Sequence, residues 1–254
     1  PDSTYIFKHA LTREVVYDSI LSRRKKQIHE KIAATIEEIY KENICDCYGI
    51  LANHCMASEN YEKGADYARL EARKYQKSAS YKDAYKYAKR IVTCLEKLPQ
   101  TENNLRKIID ARVMLSTYCM NVNYQNEAKN AVEPVLQLAL DLNYEKRLPS
   151  IYAAMGQYYL WIEEDVSKGK QYLKDVFEIA VKVGDFVTLW VANFMLGNFT
   201  SSIYQFDESM ACFKTCLDMS VLSNNLAGIS SAKSGLAVCR NLQGNTDLAL
   251  QTST

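Results

Sequence analysis

One pair of positions recurs down this chain at an almost constant interval. Leu115-Ser116, Met155-Gly156, Leu196-Gly197 and Leu236-Ala237 follow one another at 40, 41 and 40 residues. Ala128, Gly169, Ser209 and Ala249 repeat in step, at 41, 40 and 40. Asn143, Gly184 and Asn224 mark turns between the copies. Each copy reads as two helices, with a small residue in each where they must approach closely. Tyr159, Leu173, Phe177, Phe213 and Leu217 fill the remaining space. A unit of this kind cannot bury its apolar face alone and must stack on its neighbours.

Composition agrees with an all-α chain. Only 9 Gly and 4 Pro occur in 254 residues. Strands and their turns need more of both, and more β-branched residues. With 31 basic and 30 acidic side chains the net charge is +1, so nothing steers the chain to nucleic acid or an anionic membrane. No apolar run has bilayer-spanning length, and no signal peptide is visible. The 8 Cys sit mostly within helical patterns, which fits thiols acting as small hydrophobes in a reducing, cytoplasmic setting.

The first forty residues differ from the rest. Tyr5-Ile6-Phe7 suits a short edge strand, and Leu11, Val15 and Val16 a short helix. Ser22 is the expected N-cap of the next helix, in which Ile28, Ile32, Ile36 and Ile39 form one stripe. Arg23, Arg24, Lys25 and Lys26 fill its first turn, where cations oppose the helix dipole. That run reads as a solvated turn, or as a contact for an acidic neighbour. Further on, Pro99 should stop a helix, Pro149 should open one and Pro134 should kink one. Helical pairs are expected over 105–142, 149–183, 186–223 and 226–254, with long helices from 46 to 98.

The repeat resembles the tetratricopeptide repeat: Leu-Gly in the first helix, a polar turn, then a small residue and an aromatic in the second. "FMLGNFTSSIYQFDESMACFKTCLDMS", residues 194–220, is the best copy. The resemblance runs over about 48–254, in copies longer than the usual ~34 residues. It implies a right-handed superhelix of antiparallel pairs with a concave face lined by the first helices. Counting from the Leu-Gly pairs, that face includes Val113, Thr117, Met120, Asn121, Ala153, Gln157, Leu160, Trp161, Phe194, Asn198, Ser201, Ser202, Ser234, Val238, Asn241 and Leu242. The partner-binding candidates are Asn121, Gln157, Trp161, Phe194, Asn198 and Asn241. Amides can bond a peptide backbone and aromatics can anchor side chains. The groove could equally receive another part of the same parent protein.

A second resemblance rests on two phrases, Phe7-Lys8-His9-Ala10-Leu11 and Leu51-Ala52-Asn53-His54. They look like the junction between ATPase and repeats in bacterial proteins that join a class III adenylate/guanylate cyclase, a STAND-type AAA ATPase and a tetratricopeptide array. On that resemblance, residues 1–42 close a winged-helix, ATPase-associated subdomain. Residues 43–100 form a long-helix junction with the first helical pairs, and 101–254 the array, cut within its last pair. Both ends then read as boundaries within a longer protein. His9 would sense nucleotide in the parent, or simply order a strand-to-helix turn.

Catalytic chemistry finds little footing. "SKGKQY" at 167–172 lacks the spacing and the hydroxyl of a phosphate loop, and there is no Gly-x-Ser-x-Gly or His-Glu-x-x-His. Cys45, Cys47, His54 and Cys55 miss the usual zinc spacings, and Cys212 and Cys216 suit packing. The expectation is a non-catalytic interaction or sensor array without metal or cofactor, regulating an upstream ATPase and cyclase. It would bind a protein or peptide, or another domain of its parent, and could self-associate through its C-terminal end. Two rivals are a sensor arm of a STAND transcription regulator holding a small inducer, and a cochaperone-type peptide scaffold. The second wants Lys or Arg in the groove, and the positions counted have none.

Overall fold

The computed structural model describes residues 10–253. The expected strand at Tyr5-Ile6-Phe7 and the residue His9 lie outside the described residues. Among those described, every regular element is helical, so no β wing accompanies the first helices. The chain divides into two compact units, Pro1–Asn104 and Leu105–Thr254.

In the first unit, α1 is Ala10–Ser19, α2 Ser22–Ile39, α3 Tyr48–Ala57, α4 Tyr61–Lys77 and α5 Tyr81–Leu95. Helix α2 packs on α3, α3 on α4 and α4 on α5. Ser22 is not the cap of α2: Leu21 holds that place, without a side-chain hydrogen bond, and Ser22 is already helical. The isoleucine stripe is also rotated from its expected face. Ala33 and Ile36 meet Cys47, Leu51 and Cys55, while Ile32 and Ile39 are exposed. The basic turn is partly used within the unit: Lys26 pairs with Glu59, and Lys25 lies over the Tyr17 ring. Helix α5 ends at Leu95, before Pro99 can act; the N–H of Leu98 bonds the Leu95 carbonyl.

The second unit carries α6 (Glu102–Asn121, which begins at the unit boundary), α7 (Gln125–Asp141), α8 (Leu148–Trp161) and α9 (Val166–Val183). There follow α10 (Phe186–Ser202), α11 (Phe206–Leu222), α12 (Leu226–Leu242) and α13 (Thr246–Ser253). Pro149 stands in the first turn of α8, as its missing N–H favours. Pro134 sits inside α7, which runs on past it.

A single turn design sets the period. Asn123, Asn143, Glu164, Gly184, Tyr204, Asn224 and Gly244 all have positive φ, and they stand 20 or 21 residues apart. The turns at Asn123, Gly184, Tyr204, Asn224 and Gly244 show why they recur. The N–H of Tyr124, Asp185, Gln205, Asn225 and Asn245 reaches back five residues to a helix carbonyl at 2.8–2.9 Å. This satisfies carbonyls that a helix end leaves bare. The same residue then opens the next helix: Asp185 and Asn225 each accept from the N–H three residues ahead. One residue closing one helix and capping the next leaves no slack, so consecutive helices fold back antiparallel.

Close approach explains the small positions. A Cβ on Gly169 would lie 2.6 Å from Leu160 Cδ2, so α9 can meet α8 only if that position is bare. Leu160, Leu173, Val176, Leu196 and Phe199 form one core there, and Phe213, Leu236 and Cys239 another. Each such large side chain contributes about 1.5–3 kcal/mol by leaving water. Helix α13 packs on α12 through Ala249, while Leu248 and Leu250 remain exposed.

Candidate binding groove

The first helices of successive pairs stand side by side, α8 against α10 and α10 against α12. Residues 186–206, α10 and its flanking turn, contain no charged side chain at all. Phe194 and Asn198 lie one turn apart on α10, hence on one face.

To one side of that face is a cleft of about 620 Å³, bounded by Gln157 and Trp161 of α8, Phe194 and Asn198, and by Asn123 and Glu127 near the start of α7. To the other side is a cleft of about 350 Å³, where Phe194 and Asn198 face Ser201, Ser234 and Val238. Sharing two walls, the clefts make one trough across α8, α10 and α12.

Each predicted residue has its own place in this geometry. Trp161 ends α8, is 42% exposed, and sets its ring edge-on to buried Phe199, 5.5 Å between centroids. Phe194 stacks on Trp190 at 5.0 Å and meets Phe213 edge-on at 5.6 Å, so it belongs to the core as well as to the trough. Asn198 donates its Nδ2 to the Phe194 carbonyl at 2.8 Å. A carbonyl can only accept, so this bond fixes which end of the amide is Nδ2 and leaves Oδ1 and the second N–H free of it. The Oε1 of Gln157 is buried without a hydrogen-bond partner, which costs about 1–3 kcal/mol until something donates to it.

Asn121 and Asn241 border neither cleft. Asn121 bonds back to the Thr117 carbonyl at 2.9 Å, and Asn241 accepts from Thr246 at 3.4 Å. Val113, Ala153 and Leu160 are buried, although counting along the first helices puts them on the concave face; Ser201 is largely buried but does border the second cleft. That counting also misses Asn123 and Glu127, which belong to the turn and second helix of the preceding pair. No periodicity within a first helix could have revealed them.

The other candidates resolve into packing. Cys47 and Cys55 sit in the cluster with Leu51, and Cys45 is exposed. His54 Nδ1 lies 2.7 Å from His29 Nδ1, whose Nε2 is 2.8 Å from the Tyr17 hydroxyl. The phrase Leu51-Ala52-Asn53-His54 therefore places two core residues and a bridge from α3 to α2. Among the described residues no three His, Cys, Asp or Glu side chains gather as metal ligands. Burial pushes the Cys212 thiol up to about 11 and that of Cys216 to about 12, the wrong direction for a nucleophile. In "SKGKQY", Lys170 pairs with Glu208 at 2.7 Å, and the Lys168 N–H is capped by Asp165. None of the described helices is long and apolar enough to cross a membrane.

Helical pairs joined by a recurring turn, with first helices in a row, define a tetratricopeptide-like repeat fold, and solved structures agree. BtubC (BKLC) from P. vanneervenii superposes with a TM-score of 0.55 at 12% identity, over 92% of this chain and 89% of that one. A kinesin light chain candidate from P. anserina, built of nearly identical TPR-like repeats, gives 0.52 at 17% identity, over 73% and 89%. No family model and no curated protein matches the chain. At these identities the likeness is one of fold.

Proposed function

We propose that the chain is a non-catalytic scaffold whose trough over α8, α10 and α12 captures an extended segment of a protein partner. The observation that carries this reading is the buried, unpartnered Oε1 of Gln157 in a cleft walled by Trp161 and Asn198. A folded chain tolerates such an atom where a ligand supplies the missing donor, and a peptide backbone offers N–H groups at regular intervals. Trp161 supplies the apolar anchor beside it. The repeat fold supports a general scaffold more directly than any particular output.

Control of an upstream ATPase and cyclase by the bound partner is the finer form of the proposal. It rests on the resemblance of the Phe7–Leu11 and Leu51–His54 phrases. So does a winged-helix origin for residues 1–42 and a nucleotide-sensing part for His9.

Selection of peptides from a random display library on the full chain tests the scaffold reading. Enriched peptides should quench Trp161 fluorescence in a Trp190→Phe background. Selected peptides that bind without disturbing Trp161 would place recognition elsewhere.

A further inference from the structure

Resting on the scaffold reading, we infer that the trough selects a basic partner segment, with an Arg or Lys side chain seated between Trp161 and Glu127. Three features of the cleft converge on this class. The first is charge. Glu127 is the only charged residue bordering either cleft, and neither is bordered by Lys or Arg. Glu127 is exposed and makes no ion pair with any described residue. The chain as a whole carries only +1, so this local sign is not a reflection of an acidic protein.

The second is the direction of the hydrogen-bonding groups. Asn198 spends one of its two N–H groups on the Phe194 carbonyl and keeps its Oδ1 as an acceptor. The unpartnered atom of Gln157 is again an oxygen. Gln125, which also borders the cleft, spends an N–H on Asn123 Oδ1 at 3.1 Å, so Gln125 keeps its own oxygen while that of Asn123 is occupied. An unpartnered amide oxygen beside a lone carboxylate calls for donors, and Arg and Lys carry donors only.

The third is the ring. Trp161 is 42% exposed at the cleft, and the face of an indole attracts a cation within about 6 Å. A carboxylate of a partner would meet acceptors, an aromatic face and Glu127, all unfavourable to it. The same arrangement argues against a clamp for an acidic C-terminus.

Three labelled peptides of equal length test this with the full chain, alternating Ala with Arg, with Gln or with Glu, read by anisotropy at low and physiological salt. The Arg peptide should bind about tenfold more tightly than the Gln peptide, and the Glu peptide more weakly than either. Glu127→Gln should cost the Arg peptide about fivefold, the size of an exposed charge contact, and leave the Gln peptide unchanged. Trp161→Leu should cost the Arg peptide more than the Gln peptide. Equal binding of the Arg and Gln peptides, both sensitive to Trp161→Leu, would overturn the basic class and keep the trough. Preference for Arg that survives Glu127→Gln and Trp161→Leu would overturn both, as would failure of all three peptides to bind.

Discussion

The Ser209 hydroxyl donates to the Gly197 carbonyl at 2.7 Å, tying α11 to α10. Ser209 is fully buried, and its Oγ also lies 3.0 Å from Cys239 Sγ of α12. A residue that looks like filler in the repeat thus holds three helices together. Ser209→Ala should lower stability by about 1 kcal/mol, the usual worth of one buried hydrogen bond. Ser209→Val should cost about 1–3 kcal/mol, because its extra methyl is forced against Cys239. Urea unfolding reads both: the midpoint should fall in that order with the slope unchanged.

Trp161→Ala should weaken capture of a trough-bound peptide by about 2 kcal/mol, the penalty for truncating an anchor tryptophan. Its ring is 42% exposed, so the thermal midpoint should move little. Phe194→Ala should lose binding and stability together, since Phe194 also packs against Phe213. A Trp161→Ala chain that loses its cooperative transition would show the ring to be core and the trough misassigned.

Glu164 adopts φ 56° at an exposed turn where left-handed backbone strains any residue with a Cβ. Gly184 and Gly244 occupy the equivalent place in other turns without that strain. Glu164→Gly should therefore leave the helices unchanged and raise stability by up to about 1 kcal/mol, once the glycine's added freedom in the unfolded chain is subtracted. A lower urea midpoint would contradict this account of the turn.

Stability should also depend on pH through the imidazole pair. Burial first, and then the neighbouring His29 ring, hold His54 below its ordinary value of 6.5. Unfolding releases His54 to take up a proton, so its contribution is complete above 6.5 and shrinks as pH falls below that value. For Glu37, burial raises the pKa, but hydrogen bonds from Tyr67 and Lys63 outweigh it and hold the carboxyl below 4.5. Its contribution is lost only at more acid pH. The urea midpoint should then fall in two stages on acidification, and His54→Gln should remove the first alone.

The sequence determined the all-α class, the helical pairs and their period, because these depend on local rules. Apolar spacing selects helices, and a residue tolerant of positive φ closes each turn. Asn143, Gly184 and Asn224 announce their turns by type; at Glu164 and Tyr204 the side chain does not, and the breaks in the helical pattern place those turns instead. Asn198 and Trp161 could be placed on the first helices by counting. Tertiary structure alone decided that Val113 and Leu160 turn into the core, that Phe194 is shared, and that Glu127 of the preceding pair completes the trough. A helical period fixes which residues share a face. The packing angle between neighbouring helices fixes which part of that face is covered, and that angle depends on side chains far apart in the chain.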